Sequence, residues 1–376
     1  MAKAARSALA KFEADFTKRF GADALVRPVT PQVVSTGSLT LDHAMGCGGY
    51  VVGRITEIWG PAGASKTTLS LIAAANFQAK FPDKAVAWIN MERTFELAWA
   101  ITHHVDPDRI AVMDPENSED VADMAKMAIA SGLFSLVVLD SVGGMVTEEE
   151  FDKAAEKETV GTAAKVITRM VKIAAVLCDR TDTTLIIVNQ PRANLDRFGA
   201  DTKPAGPFAL MHASTHKIKV RRTKTEGYII GTETYGFEVS ATVEANKVGP
   251  SRRTAVFGLF VQPSDKFGPV GIDRASEAFT IGTRYAVIEE PSSGYFILPG
   301  SKTKIHGRDN VIDMLRAEPT ALEAVRTGLL THLTDILPPD PEPEGLDFAR
   351  GADEITPVDL ETLQANEAAV RARAGL

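Results

Sequence analysis

The sequence predicts an α/β fold, a mainly parallel central sheet covered on both faces by helices. Two observations carry that prediction. From Val33 to Asn189, short β-like runs alternate with helical segments, the chain order that builds parallel sheets by crossover. A glycine-rich turn at residues 60–67 lies between one such apolar run and the helix that follows it, the context in which backbone N–H groups and a helix N-terminus can surround a phosphate.

The elements follow in order. Residues 5–19 place Leu9, Phe12 and Phe16 at helical spacing among charges, which predicts a short amphipathic helix ended near Gly21. Its apolar stripe either caps its own core or packs on another subunit. Strand–helix steps are expected at 54–59 with 66–79, 85–90 with 95–104, 110–113 with 121–131, and 136–140 with 162–177, followed by a strand at 184–189. Residues 214–222, 236–245 and 254–261 then follow without long helices between them, which predicts antiparallel strands extending the sheet. Around Asp273 the texture changes to a smaller α+β unit that ends in a helix at 321–333. The stretch PPDPEPEG after Leu337 is rich in proline and acid and predicts extended chain. Residues 358–374 form either a terminal helix or a disordered end. The expected divisions are therefore 1–32, 33–272, 273–336 and 337–376.

Composition bounds the function. The 376 residues are 44% hydrophobic and 24% charged, ordinary for a globular protein. No apolar run approaches the roughly 20 residues that span a bilayer, and residues 1–10 lack the apolar core of a secretory signal. Cys47 and Cys178, far apart, argue against a disulfide framework or a cysteine zinc site and fit a reducing cytoplasm. The net charge of −8 is uneven. Asp340, Glu342, Glu344, Asp347, Asp353, Glu354, Asp359 and Glu361 crowd the end with Arg350 as the one base among them. The rest of the chain is closer to neutral, so charge neither establishes nor excludes nucleic acid.

Gly60, Pro61, Ala62, Gly63, Ala64, Ser65, Lys66 and Thr67 spell a P-loop, and Thr68 continues into the helix. Lys66 is placed to reach the outer phosphates of ATP and the Thr67 hydroxyl to bind Mg2+. The pattern wants glycine where Ser65 stands, because the loop curls tightly against the phosphates. Serine is expected to be tolerated by adopting a helical conformation, with weaker or slower hydrolysis. The apolar run 136–139 delivers Asp140 at a strand end, where a carboxylate can hold the Mg2+ shell. Glu92, just beyond the strand at 85–90, is the candidate to orient the attacking water.

The surrounding words narrow the family. The run Ser35-Thr-Gly-Ser-Leu39-Thr-Leu-Asp42, then Gly48-Gly49 and Gly53-Arg-Ile-Thr-Glu57-Ile-Trp-Gly-Pro61, resembles the approach to the P-loop in RecA recombinases. The resemblance continues through residues 136–142, Val160-Gly161, Leu185-Ile-Ile-Val-Asn189-Gln190-Pro-Arg192, Gly231-Thr-Glu233-Thr and Asn246-Lys247, and covers about residues 5–335. It implies a RecA-type P-loop ATPase core between an N-terminal polymerisation helix and a small α+β C-terminal domain. It further implies that Lys66, Thr67 and Asp140 hold ATP and Mg2+, that Glu92 is the catalytic glutamate, and that Glu96 and Trp99 contact and stack the adenine. By the same resemblance Gln190 senses the outermost phosphate and signals to a DNA-binding loop, and Lys247 is one of two lysines reaching ATP across a subunit interface. Ala245 replaces the other lysine, with Arg252 or Arg253 near enough in sequence to compensate.

Two loops are expected on DNA by resemblance. Residues 156–162, with Val160 and Gly161, match the first. Residues 191–206 match the second and carry Arg192, Asn194, Arg197, Phe198, Lys203 and Gly206, with basic groups for phosphates and a ring to wedge between bases. Lys217, Lys219 and Arg221 alternate along a strand and are read as one solvated sheet face. Lys302, Lys304, His306 and Arg308 cluster in the C-terminal unit, which by resemblance receives duplex DNA. The acidic tail resembles one thought to compete with DNA for basic surface.

The implied activity is homologous recombination. A helical head-to-tail filament of this chain on single-stranded DNA pairs with homologous double-stranded DNA, with DNA-stimulated ATP hydrolysis, in the cytoplasm and away from membrane. Two other readings share the P-loop: a RecA-fold hexameric helicase or repair ATPase that closes a ring, and an ATP-switched DNA-coating scaffold with little turnover. Departures from the common bacterial pattern are compatible with a phage-encoded member.

Overall fold

The computed structural model describes residues 2–21, 30–144, 162–193, 202–223 and 227–334. In chain order the elements are α1 (Ala2–Phe20), β1 (Val33–Val34), α2 (Leu39–Met45), β2 (Tyr50–Val51), β3 (Ile55–Trp59), α3 (Lys66–Lys80), β4 (Ala85–Asn90), α4 (Leu97–Thr102), β5 (Ile110–Met113), α5 (Ser118–Ala130) and β6 (Phe134–Asp140). There follow α6 (Thr162–Thr181), β7 (Thr184–Asn189), β8 (Pro191–Ala193), β9 (Thr202–Pro204), α7 (Phe208–Ala213), β10 (His216–Arg222), β11 (Tyr228–Ile230), β12 (Glu233–Asn246) and β13 (Arg253–Phe260). The last are β14 (Gly271–Ile272), α8 (Arg274–Arg284), β15 (Glu289–Ser292), β16 (Tyr295–Ile297), β17 (Ile305–His306), α9 (Arg308–Ala317) and α10 (Pro319–Thr334).

Among these residues a ten-stranded sheet runs in the order β14-β13-β12-β10-β3-β7-β6-β4-β5, with β11 paired to β12. From β10 to β5 every pairing is parallel, and from β10 outward through β12, β13 and β14 every pairing is antiparallel. The parallel strands are covered on both faces, so β3 and β7 are buried along their whole length. That burial explains their continuous apolar runs. Ile58, Ile186 and Val188 join Leu69, Ala73 and Phe77 of α3 in one core. Ile55, Leu185 and Ile187 face the other way, into a core with Val121 and Ile129 of α5 and Val171 of α6.

Within the described residues the expected strands and helices are present, with three differences; the proline- and acid-rich stretch after Leu337 and residues 358–374 lie outside the described residues. The helix expected at 95–104 is the shorter α4, whose first turn begins after the extended residue Glu96. The strand expected at 214–222 is β10, antiparallel to β12 but parallel to β3. The alternating Lys217, Lys219 and Arg221 do not form one solvated face. Lys217 is only 9% exposed, because β10 lies inside the sheet. Its ammonium pairs with Glu244 at 3.4 Å and lies 5.4 Å from the Trp59 ring centroid, and the Lys219 ammonium lies 4.6 Å from the same ring.

A third core gathers Ala278 and Ile281 of α8, Phe296 of β16, Val311 and Leu315 of α9, and Val325 and Leu329 of α10. It is tied to the start of α2 by a buried carboxylate. Glu277 accepts from the Ser38 hydroxyl, from Leu39 N and Thr40 N at 3.2 Å, and from Thr40 Oγ1 at 2.5 Å. Asp42, also buried, accepts from Ser35 Oγ at 2.5 Å, Thr36 N at 2.8 Å and Thr36 Oγ1 at 2.7 Å. Burial pushes both carboxyls up, Asp42 to about 6 and Glu277 to about 7, against the opposing pull of these hydrogen bonds.

Candidate functional site

Parallel α/β sheets expose their ligand sites beyond the carboxyl ends of the strands, and four strands end together here. Trp59 of β3 pairs with Asn189 of β7, and Asn90 of β4 pairs with Asp140 of β6. The loop leaving β3 begins at Gly60, where an added Cβ would lie 1.9 Å from the Val220 carbonyl oxygen. Only glycine fits against β10 at that point. The loop then turns through Gly63 at φ 70 and Ser65 at φ 73 into α3.

Ser65 therefore does not take the helical conformation expected for it. It is held in the left-handed region, where glycine is free of strain and an L-residue pays roughly 1–2 kcal/mol. The Ser65 hydroxyl makes no capping bond to α3, so the first-turn N–H groups of that helix keep their capacity to bind an anion.

A cleft of about 370 Å3 opens beside this loop. Ala62, Gly63, Ala64, Ser65, Lys66, Thr67 and Thr68 form one wall, and Glu92, Trp99, Asp140 and Gln190 also line it. Lys66 Nζ donates to the carbonyls of Gly60 at 2.8 Å and Pro61 at 2.9 Å. Burial pulls this ammonium below its ordinary value, while the nearby Asp140 and Glu92 hold it up. Thr67 Oγ1 donates to Asp140 Oδ2 at 2.8 Å. Asp140 is 3% exposed, and burial pushes its carboxyl up to about 6; the Thr67 bond and Lys66 oppose the rise, and Glu92 adds to it.

Glu92 sits where the sequence suggests, one turn past β4, with its N–H donating to the Asp140 carbonyl at 3.2 Å. Its Oε1 accepts from the Ser141 hydroxyl and from Gln190 Nε2, the latter at 2.5 Å. The Asp140–Ser141 peptide is cis. Gly143 leaves room for Gln190: a Cβ there would lie 3.1 Å from the Gln190 Cβ and Cγ.

Other expected residues are placed differently. Glu96 is the extended residue before α4 and is not among the residues lining the cleft. Trp99 lines it, with His103 edge-on to the indole at 4.5 Å between centroids. Lys247 does not line it; its ammonium donates to the carbonyl of His212 at the end of α7. Arg192 and Lys203 are backbone partners across the β8–β9 hairpin, and Gly206 follows at φ 96. Val160, Gly161, Asn194, Arg197 and Phe198 lie outside the described residues.

Several neighbours carry no local signal in the sequence. Arg222, Phe237 and Val261 line the cleft, brought there from β10, β12 and the end of β13. The Arg222 guanidinium stacks 3.6 Å from the Phe237 ring centroid. Ser141, Gly143 and Glu57 were legible only as parts of a family motif, because their partners are 47 to 132 residues away in sequence.

The described helices include none long and apolar enough to cross a membrane. The family model for the RecA N-terminal domain matches residues 3–263. Among curated proteins, Protein RecA of Thermotoga neapolitana is 30% identical over 348 residues, covering 90% of this chain and 95% of that protein. Protein RecA of Methylococcus capsulatus is 31% identical over 333 residues, covering 87% and 91%. Protein RecA of Frankia casuarinae is 32% identical over 322 residues, covering 84% and 89%.

Proposed function

Because this chain belongs to the RecA family, we propose that it is an ATP-dependent recombinase, a DNA-dependent ATPase that pairs a single strand with homologous duplex and exchanges strands. The observation that carries the reading is the bond from Gln190 Nε2 to Glu92 Oε1 at 2.5 Å. Gln190 thereby joins the carboxylate of the hydrolytic site to the hairpin that begins at the next residue, Pro191.

The geometry supports the following roles. The loop from Gly60 to Thr68 surrounds the phosphates of ATP, with Lys66 supplying charge to the outer ones and Trp99 offering a face to the adenine. Thr67 Oγ1 and Asp140 are hard oxygen donors on adjoining elements, the type that Mg2+ takes. A buried carboxyl pushed up to about 6 gains its ionised form beside a cation. Mg2+ held there supplies charge neutralisation on the phosphates. Glu92 orients the attacking water and takes up its proton. Gln190 leaves Glu92 for the outermost phosphate when ATP is bound, and that exchange moves the hairpin carrying Arg192 and Lys203.

The partners are single-stranded DNA at the hairpin, homologous double-stranded DNA, and further copies of the chain in an open head-to-tail filament, which arises when a heterologous interface does not close. Leu9 and Phe12 of α1 are 57% and 58% exposed, and Val112 of the edge strand β5 is 41% exposed. These apolar side chains suit burial against a neighbouring copy. Lys247 reaches across that interface to ATP by leaving the His212 carbonyl. The site of action is the cytoplasm.

The test is electron microscopy with strand exchange. Protein with ATP and Mg2+ is expected to coat single-stranded DNA as an open helix and to exchange strands with homologous duplex. Closed rings, or bare DNA, refute the reading.

A further inference from the structure

Asn189 ends β7, and its side-chain amide holds both ends of the hairpin. Its Oδ1 accepts from Gln190 N at 2.8 Å, and its Nδ2 donates to the Ala205 carbonyl at 2.7 Å. Ala205 N in turn donates to the Gln190 carbonyl at 2.8 Å. Residues 190 and 205 are thus joined where β8 and β9 leave the sheet. The second Nδ2 hydrogen of Asn189 goes to Glu57 Oε1 at 2.7 Å.

Glu57 lies on β3, three residues before Gly60, and is 1% exposed. The strand that launches the phosphate loop therefore also reaches the hairpin. Lys217 is the backbone partner of Glu57 across β3 and β10. Burial raises the Glu57 carboxyl, and the Asn189 bond and the Lys217 charge pull it back.

An asparagine amide keeps nearly the same shape after a half-turn, so the polarity of its partners fixes which end points where. An ionised carboxylate only accepts. With Glu57 in place, a turned amide would set its oxygen against two acceptors, Glu57 and the Ala205 carbonyl, and would present its NH2 to the Gln190 N–H. Burial leaves no water to repair such contacts.

We infer that Glu57 is a positioning residue for ATP hydrolysis: by locking the Asn189 amide it fixes both ends of the hairpin, and so sets Gln190 against Glu92. The inference rests on the reading of Gln190 as the link between the phosphate site and DNA.

The experiment compares the full-length wild type with Glu57→Ala, Glu57→Gln and Asn189→Asp. Three readouts are taken: nucleotide affinity, ATP hydrolysis with and without single-stranded DNA, and amide exchange at residues 190 and 205. Glu57→Ala is expected to speed exchange at both amides and to bring the ratio of DNA-stimulated to basal hydrolysis toward unity. Nucleotide affinity should stay within about threefold, because the loop itself is untouched. Glu57→Gln keeps an acceptor oxygen for Asn189 and should retain both the protection and the ratio. Asn189→Asp, isosteric but with oxygen facing Glu57, should reproduce the alanine result and carries the test where the alanine variant does not fold.

Unchanged exchange and ratio in Glu57→Ala or Asn189→Asp overturn the inference. So does a glutamine variant as impaired as the alanine one, which would trace the effect to charge or packing. A wild type whose hydrolysis ignores DNA overturns the underlying reading instead, and amide exchange alone then decides whether Glu57 holds the hairpin.

Discussion

Gln190 Nε2 lies 2.5 Å from Glu92 Oε1, so the candidate base of the site is hydrogen-bonded to the residue that leads into the candidate DNA hairpin. Replacing Gln190 with alanine is expected to leave basal ATP hydrolysis measurable and to remove its response to single-stranded DNA. A steady-state ATPase assay with and without DNA checks this; stimulation that survives in Gln190→Ala removes Gln190 from the coupling.

Glu92→Gln keeps the shape and the bond from Ser141 but loses the proton acceptor. Hydrolysis should fall by roughly 10²–10⁴-fold, the usual contribution of a positioned base, while nucleotide binding persists. Fluorescent-nucleotide titration beside single-turnover hydrolysis separates the two. Loss of binding in equal measure would mean that Glu92 acts by building the pocket.

Ser65 carries φ 73, so Ser65→Gly relieves strain in the folded loop while adding freedom to the unfolded chain. The two effects leave a net gain of about 0.5–1 kcal/mol. Urea unfolding of nucleotide-free protein should show it, together with tighter nucleotide binding or faster turnover. If stability, affinity and turnover all stay at wild-type values, the serine costs the loop nothing.

The raised carboxyls of Asp42 and Glu277, near 6 and 7, make stability depend on pH. An acid whose folded value lies above its unfolded one favours folding while protonated, so its contribution is lost as pH rises through the folded value. The charges around the pair oppose each other: Arg326 acts on Asp42, Arg274 interacts with Glu277, and Asp42 raises Glu277. Wild-type stability is expected to fall from about pH 4 to 7 and to level off above that, and Glu277→Gln should lose part of that slope. Urea midpoints across the range decide it; a wild-type-minus-variant difference that is flat with pH counts against Glu277.

Phe12 of α1 is more than half exposed. Phe12→Glu puts a charge where a neighbouring copy would bury the ring. Sedimentation with ATP and Mg2+ should show assembly abolished and nucleotide affinity unchanged. Assembly at wild-type levels would place the subunit contact elsewhere.

Patterns local in the chain were legible from the amino acids alone. The apolar runs of β3, β6 and β7 were readable because strands covered on both faces need continuous apolar side chains. That Lys66, Thr67 and Asp140 gather at one cleft was readable because the glycine-rich turn after β3 and the end of the apolar run of β6 both fall at the carboxyl edge of a parallel sheet. The tertiary structure decided what depends on which strands lie side by side. β10 sits inside the sheet, and that buries Lys217 against Trp59 and Glu244 where alternation alone suggested a wet face. Gly60 packs on the Val220 carbonyl, and Ser65 is held left-handed by the turn. Asn189 bonds to Ala205, 16 residues on, and to Glu57, 132 residues back. Local spacing encodes which face of an element is apolar. It carries no record of which distant polar groups share that face, because those meet only when the sheet closes and water is excluded.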